Sequence, residues 1–117
     1  MKLALFLNFL IEGLLGLVFV IKPALLPVLA PGDALTMYLA RMYGFAALSV
    51  AFLSLRAWLH YHEQSLLENT LFTLAFFHTG IALAQFINEL PFKDQMPPGV
   101  LHIVLALVFW VGYIRER

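Results

Sequence analysis

The chain has 117 residues, of which 62% are hydrophobic and only 12% charged, with a mean hydropathy of +0.90. A chain of one-domain length with so little charge cannot clothe itself for water, which places it in the membrane class. Formal net charge is zero and cysteine is absent. No field therefore recruits nucleic acid, and disulfides, thiolate metal sites and thiol redox chemistry are excluded.

Leu3 to Ile21 is the first apolar run, about 28 Å as a helix and enough for one crossing. Met1-Lys2 ahead of it is also how a signal peptide opens. Glu12 inside the run, and the proline-rich stretch Lys22 to Pro31 after it, argue for a retained helix over 3–22. Pro23, Pro27, Pro31 and Gly32 then break the chain into a loop.

The second span is predicted over 34–60. Ala40, Gly44, Ala47, Ala51 and Ser54 recur along it at helical spacing, the kind of small-residue stripe that lets helix backbones approach closely in lipid. It ends in Trp58, His60, Tyr61 and His62, an interfacial cluster. Ser65 and Glu68 have capping-box spacing and predict the start of a third helix over 66–90. A polar, proline-bearing turn follows. Pro97 or Pro98 suits the first turn of a fourth helix over 98–114, which closes with Trp110 and Tyr113 at the interface.

The expected fold is an all-α integral membrane four-helix bundle, up-down-up-down, with 1–117 as a single transmembrane domain. Four spans put both termini on one side. Lys2, Arg56, Arg115 and Arg117 fall there, against Lys22, Lys93 and an outward-reaching Arg41 on the other. The balance predicts cytoplasmic termini, as in a bacterial inner membrane.

Ionisable groups inside spans are costly and usually face the bundle interior. Here they are Glu12, Arg41, His78 and His102, with Asn8 and Gln85 beside them. Asn8, Glu12 and Gly16 share one face of the first helix; Ala75, His78, Ala82, Gln85 and Glu89 share one face of the third; His102, Ala106, Phe109 and Tyr113 align on the fourth. Counted from the predicted helix ends, Glu12 and His78 lie roughly 15–18 Å deep, Arg41 about 10 Å, and Gln85 and His102 roughly 5–8 Å. The set predicts a polar track from the outer face to the membrane centre, with Arg41 reaching Glu12 or snorkelling outward.

Such a centre can fix helix register through a Glu12–Arg41 pair or a Glu12–His78 hydrogen bond. It can also open outward as a cavity for a small amphiphile, a lipid or quinone, with Arg41 holding the head and phenylalanines the tail. A bis-histidine haem needs both ligands at one depth, and His78 and His102 come out roughly 10 Å apart. His60 and His62 diverge around a helix and form no zinc pair. No HExxH, GxSxG, phosphate loop or paired-carboxylate motif is present. No catalytic residue, cofactor or metal is expected.

Pro23 and Pro27 in the first loop, Arg41-Met-Tyr43-Gly44 entering helix two, and the polar turn Asn88 to Pro98 before a short last helix resemble the DoxX-like group of small four-helix bacterial membrane proteins. The resemblance implies the four-helix fold more than a reaction, since members of the group often act as accessory membrane subunits or have no assigned activity. The chain is also similar to the small multidrug resistance transporters in length, span number and the place of Glu12, which implies proton exchange for a cationic drug. It departs from them in the third helix, which has no tryptophan and only Gly80 as glycine. Arg41 would also neutralise Glu12 and favour its charged form, which suits a salt bridge better than a proton carrier. The expectation is a non-enzymatic accessory, scaffold or amphiphile-binding membrane protein with an Arg41–Glu12–His78 centre. Its expected partners are the bilayer, a lipid or quinone, and a homo-oligomer or larger complex. A Glu12-dependent transporter and a structural subunit are the alternatives.

Overall fold

The computed structural model describes residues 1–26, 32–87 and 92–117, with the helix at 92–95 described without its side chains. The described residues are all-α: helices α1 (Lys2–Ile21), α2 (Ala34–Leu59), α3 (Gln64–Phe86) and α4 (Phe92–Glu116), with a 3₁₀ turn at Pro23–Leu25. At 1.5 Å per residue each helix is about 30–39 Å long, enough for a hydrocarbon core of about 30 Å. All four are apolar enough to cross a membrane, the fourth over Met96–Glu116.

The burial pattern is that of a protein dissolved in lipid. Asn8, Glu12, Ser54, Thr70 and His78 are fully buried, while Leu14, Phe76 and Leu107 are more than 60% exposed. Hydrocarbon solvates leucine and phenylalanine but not amide, carboxyl or imidazole, so the polar side chains turn inward. The chain is a small polytopic membrane protein.

Its contacts divide it into two compact units, Lys2–Leu59 and His60–Arg117 together with Met1. The first is an antiparallel hairpin of α1 and α2. Lys2 lies over the Trp58 ring at 5.8 Å, Asn8 bonds Ser54, and Gly16 meets Gly44. Proline ends α1, since Pro23 has no amide to continue the ladder. Pro27 and Pro31 lie outside the described residues. Asp33 starts α2: its Oδ1 accepts the Thr36 amide at 2.7 Å, an N-cap that holds its carboxyl below the usual carboxylate range.

The predicted small-residue stripe is the α1–α2 interface. Ala40, Gly44, Ala47, Ala51 and Ser54 are all buried. The helices cross closest at Gly16 and Gly44. A Cβ on Gly44 would stand 2.8 Å from Phe19 Cβ and Val20 Cγ2, and 3.0 Å from the Gly16 carbonyl oxygen. Neither a backbone oxygen nor a Cβ can swing aside.

The second unit is an antiparallel hairpin of α3 and α4. Its ends differ from the sequence expectations in three ways. The capping box does not form: α3 begins at Gln64, two residues early, and its N-cap Glu63 makes no side-chain cap bond. Glu68 instead accepts from Gln64 Nε2 at 2.9 Å, and Glu63 pairs with His60 Nδ1 at 2.9 Å. Helix α3 ends at Phe86, with Ile87 as its cap, while Glu89 and Leu90 lie outside the described residues. Helix α4 begins at Phe92, with Pro97 and Pro98 inside it. The proline pair thus lies within the helix rather than at its start; a proline's lost hydrogen bond is tolerated in membrane helices where neighbouring groups re-satisfy the backbone.

The α2–α3 turn is tied to the far end of α4 within this unit. Tyr61 donates to Glu116 Oε1 at 3.3 Å, and Gln64 Nε2 donates to the Glu116 carbonyl. Burial, then the Glu116 carboxylate, raises the Tyr61 phenol above its usual range.

The glycines give a direct test. Gly44→Ala is expected to destabilise the protein by about 1–3 kcal/mol through overpacking. Gly80 has nothing within 4 Å of where a Cβ would stand, and should accept alanine with no loss or a gain of up to about 1 kcal/mol. Thermal unfolding in detergent compares the two; equal effects would refute the close-crossing interface.

Candidate functional site

Three groups of residues carry the chemistry, two in the α1–α2 hairpin and one in the α3–α4 hairpin. The first is a buried polar row. Spacing of four places Asn8, Glu12 and Gly16 on one face of α1, and all are buried. Asn8 Nδ2 donates to Ser54 Oγ at 2.9 Å, and the Ser54 hydroxyl donates to the Val50 carbonyl at 2.8 Å. Ser54 thus serves twice, as a small interface residue and as the partner that makes a buried amide affordable. Glu12 sits one turn along from Asn8, fully buried.

Arg41 does not join this row. It is exposed, and no ion pair links it to Glu12. The reason is rotational: successive residues turn about 100° around a helix, so with Ala40 packed in the interface its neighbour Arg41 is carried out onto the lipid-facing side. The expected Arg41–Glu12–His78 centre is corrected to that extent. Instead, Tyr38, Arg41, Phe45, Leu48 and Phe52 follow 3-4-3-4 spacing and form an outer stripe on α2, with Tyr38, Phe45 and Phe52 about 60% exposed.

The second group lies at the inner end of that stripe. An apolar groove of ≈ 370 Å³ runs between α1 and α2, floored by Gly13 and Ala51 and walled by Phe9, Leu17, Leu48 and Phe52. It exists because two small residues face each other: a Cβ on Gly13 would lie 3.8 Å from Ala51 Cβ and 4.0 Å from Phe9 Cε2, ordinary contact distances. Sequence reasoning missed the groove. The signal available was Gly13 opposite Ala51, flanked by large side chains on both helices.

The third group is the histidine pair. His78 Nδ1 and His102 Nδ1 are 2.8 Å apart, and both residues are buried. The His78 ring stacks on Phe109 at 5.6 Å and 14°, and Phe77 meets both imidazoles edge-on. The expected depth difference between the histidines is overturned. Counted from Phe92 rather than Pro98, His102 lies about 15 Å along α4, level with His78. One more polar link crosses the hairpin nearby: Trp110 Nε1 donates to Thr79 Oγ1 at 3.1 Å, and the Thr79 hydroxyl donates to the Ala75 carbonyl. Gln85 is half-buried further along α3.

An Nδ1–Nδ1 hydrogen bond requires one ring to carry the bridging proton and the other to offer a lone pair. The pair therefore holds a single proton between two rings, and each ring's Nε2 takes the opposite role to its partner's. At 2.8 Å the two Nδ1 atoms leave no space for a haem iron between them. They remain the hairpin's metal-competent donors, two imidazoles held on facing helices.

Comparison of the chain with models of known protein families, with curated proteins and with solved structures found no match. Its class accordingly rests on the fold and the burial pattern: a four-span, all-α membrane protein with polar groups turned inward.

Removing one partner of the histidine pair leaves a buried imidazole nitrogen unsatisfied. His78→Phe is expected to cost about 1–3 kcal/mol, with His78→Phe/His102→Leu recovering part of that loss, because the second change removes the orphan. A double-mutant cycle read by denaturant unfolding measures the coupling. Additive single effects would refute it.

Proposed function

We propose that the chain is a non-enzymatic membrane protein that binds a bilayer amphiphile, taking its hydrocarbon chain into the groove between α1 and α2. The observation that carries this is the groove itself. Its ≈ 370 Å³ falls in the size range of small-molecule sites, about 300–1,000 Å³. Its walls are apolar, and Leu14 and Phe52 at its mouth are exposed, so it opens where lipid chains lie. A hydrocarbon tail there replaces fluid contacts with a fixed wall of leucine and phenylalanine, gaining dispersion contacts.

Filling the groove tests this. Gly13→Leu projects a side chain into the groove beside Ala51 and should reduce co-purifying lipid at least severalfold, while leaving helical content unchanged. Native mass spectrometry of the full chain extracted in mild detergent reads the retained lipid, with Gly80→Leu as the control on an open surface. Undiminished lipid in Gly13→Leu would remove the groove from consideration.

We also place both termini on the cytoplasmic side of a bacterial inner membrane, a topology supported by Lys2, Arg56, Arg115 and Arg117 falling on one side. The chain has no cysteine, so single cysteines report cleanly. In intact cells a membrane-impermeant maleimide should label Gly32→Cys and spare His62→Cys. The reverse pattern would invert the topology.

A further inference from the structure

Arg41 is the one arginine that lies well inside a span, about 10 Å from the start of α2. It is exposed, and among the described residues it has no hydrogen-bond or ion-pair partner. A guanidinium on a lipid-facing surface is costly unless something in the membrane answers its charge. Its place on α2 says what that is. Helix α2 is about 39 Å long against about 30 Å of hydrocarbon. Centred in the bilayer, it puts Arg41 roughly 6 Å below the hydrocarbon boundary, close enough for the side chain to snorkel to the phosphate level.

The outer stripe then leads inward. Phe45 stands one turn deeper than Arg41, followed by Leu48 and Phe52 in the groove wall. From Arg41 to Leu48 in the groove wall is about 10 Å along the axis; with Arg41 roughly 6 Å below the boundary, that sets the groove at about the bilayer midplane, where the acyl chains of Arg41's leaflet end. A head group at Arg41 and a chain end in the groove are therefore one lipid of one leaflet. Tyr38, one turn above Arg41 and exposed, brings a phenol to the same level. Lys22 closes α1 at this end of the hairpin and is exposed. The carboxylate at this end, Asp33, is engaged by the Thr36 amide.

We propose that Arg41 binds the phosphate of an anionic phospholipid whose acyl chain runs along Phe45 into the groove, a proposal that rests on the amphiphile-binding function above. The guanidinium fork matches two phosphate oxygens in a way that an ammonium does not, so the site recognises the head group as well as the tail.

The test offers the full chain, in detergent, an equimolar mixture of phosphatidylglycerol and phosphatidylcholine with identical acyl chains, and counts bound lipids by native mass spectrometry. Wild type should prefer phosphatidylglycerol roughly fivefold, the factor one cation commonly supplies near an anionic lipid surface. Arg41→Gln should bind the two lipids equally while keeping its total bound lipid, and Arg41→Lys should restore part of the preference. Arg41 is exposed, so these variants should match wild type in helical content. A preference that survives Arg41→Gln, or that falls with Lys22→Gln instead, would overturn the proposal. So would displacement of the lipid by a quinone of equal chain length in wild type and Arg41→Gln alike. Absence of any bound lipid, or binding unmoved by Gly13→Leu, would overturn the groove itself.

Discussion

The close crossing of Gly16 and Gly44 sets the rotation of α2, and most of the first hairpin follows from that rotation. A Cβ at either position would strike the opposite backbone, so glycine is what lets the two helices touch. Once Gly44 faces α1, the 3-4 spacing carries Ala40, Ala47, Ala51 and Ser54 inward with it. Ser54 then meets Asn8, which turns a buried amide from a penalty into a hydrogen bond. Ala51 comes opposite Gly13, and two small side chains among large ones leave the groove. Arg41 is carried to the outside by the same turn. One steric contact thus places the polar row, the cavity and the charge.

The second hairpin is organised by a polar contact instead. Helices in lipid lack the hydrophobic drive to associate, and interhelical hydrogen bonds there are worth only about 0.6–2 kcal/mol. Their value for specificity is larger than that figure. The His78–His102 bond is met only when the two imidazoles are level and facing, so sliding α4 by one residue along α3 would strand two buried nitrogens. The Trp110–Thr79 bond adds a second checkpoint near the first. The aromatic shell of Phe77 and Phe109 fills the space around the rings without offering a competing partner.

The solvent and the span count were legible because they depend on composition and run length, which need no neighbours. The faces were legible too: Asn8, Glu12 and Gly16 on α1, and the small stripe on α2, are buried as their spacing implies. What failed was anything that needed an origin. The depth of His102 was counted from Pro98, because a proline pair reads as a helix start. The helix begins at Phe92, and those six residues account for about 9 Å of the apparent gap between the histidines. The Arg41–Glu12 pair failed because opposite charges at similar depth invite pairing, whereas azimuth decides it. The information was present: a residue adjacent to a packed alanine cannot face the same way. The capping box failed at α3 because Gln64 found Glu68 first, a local competition that a motif does not encode.

Moving Arg41 outward also changes the case between the functional alternatives. Read from the sequence, Arg41 is the neighbour that neutralises Glu12 and keeps it from exchanging protons; in the structure Arg41 points elsewhere. The departures of α3 from the transporter pattern remain, since its one glycine, Gly80, faces open space rather than a packed helix. Meanwhile the arginine has acquired a surface of its own. Charge, aromatic residues and cavity now fall on one continuous stripe from Tyr38 to Phe52, with the charge toward one end of the span and the cavity near its middle. Glu12 and Arg41, joined by the sequence into one centre, are separated in the hairpin: one fully buried one turn along from Asn8, the other exposed.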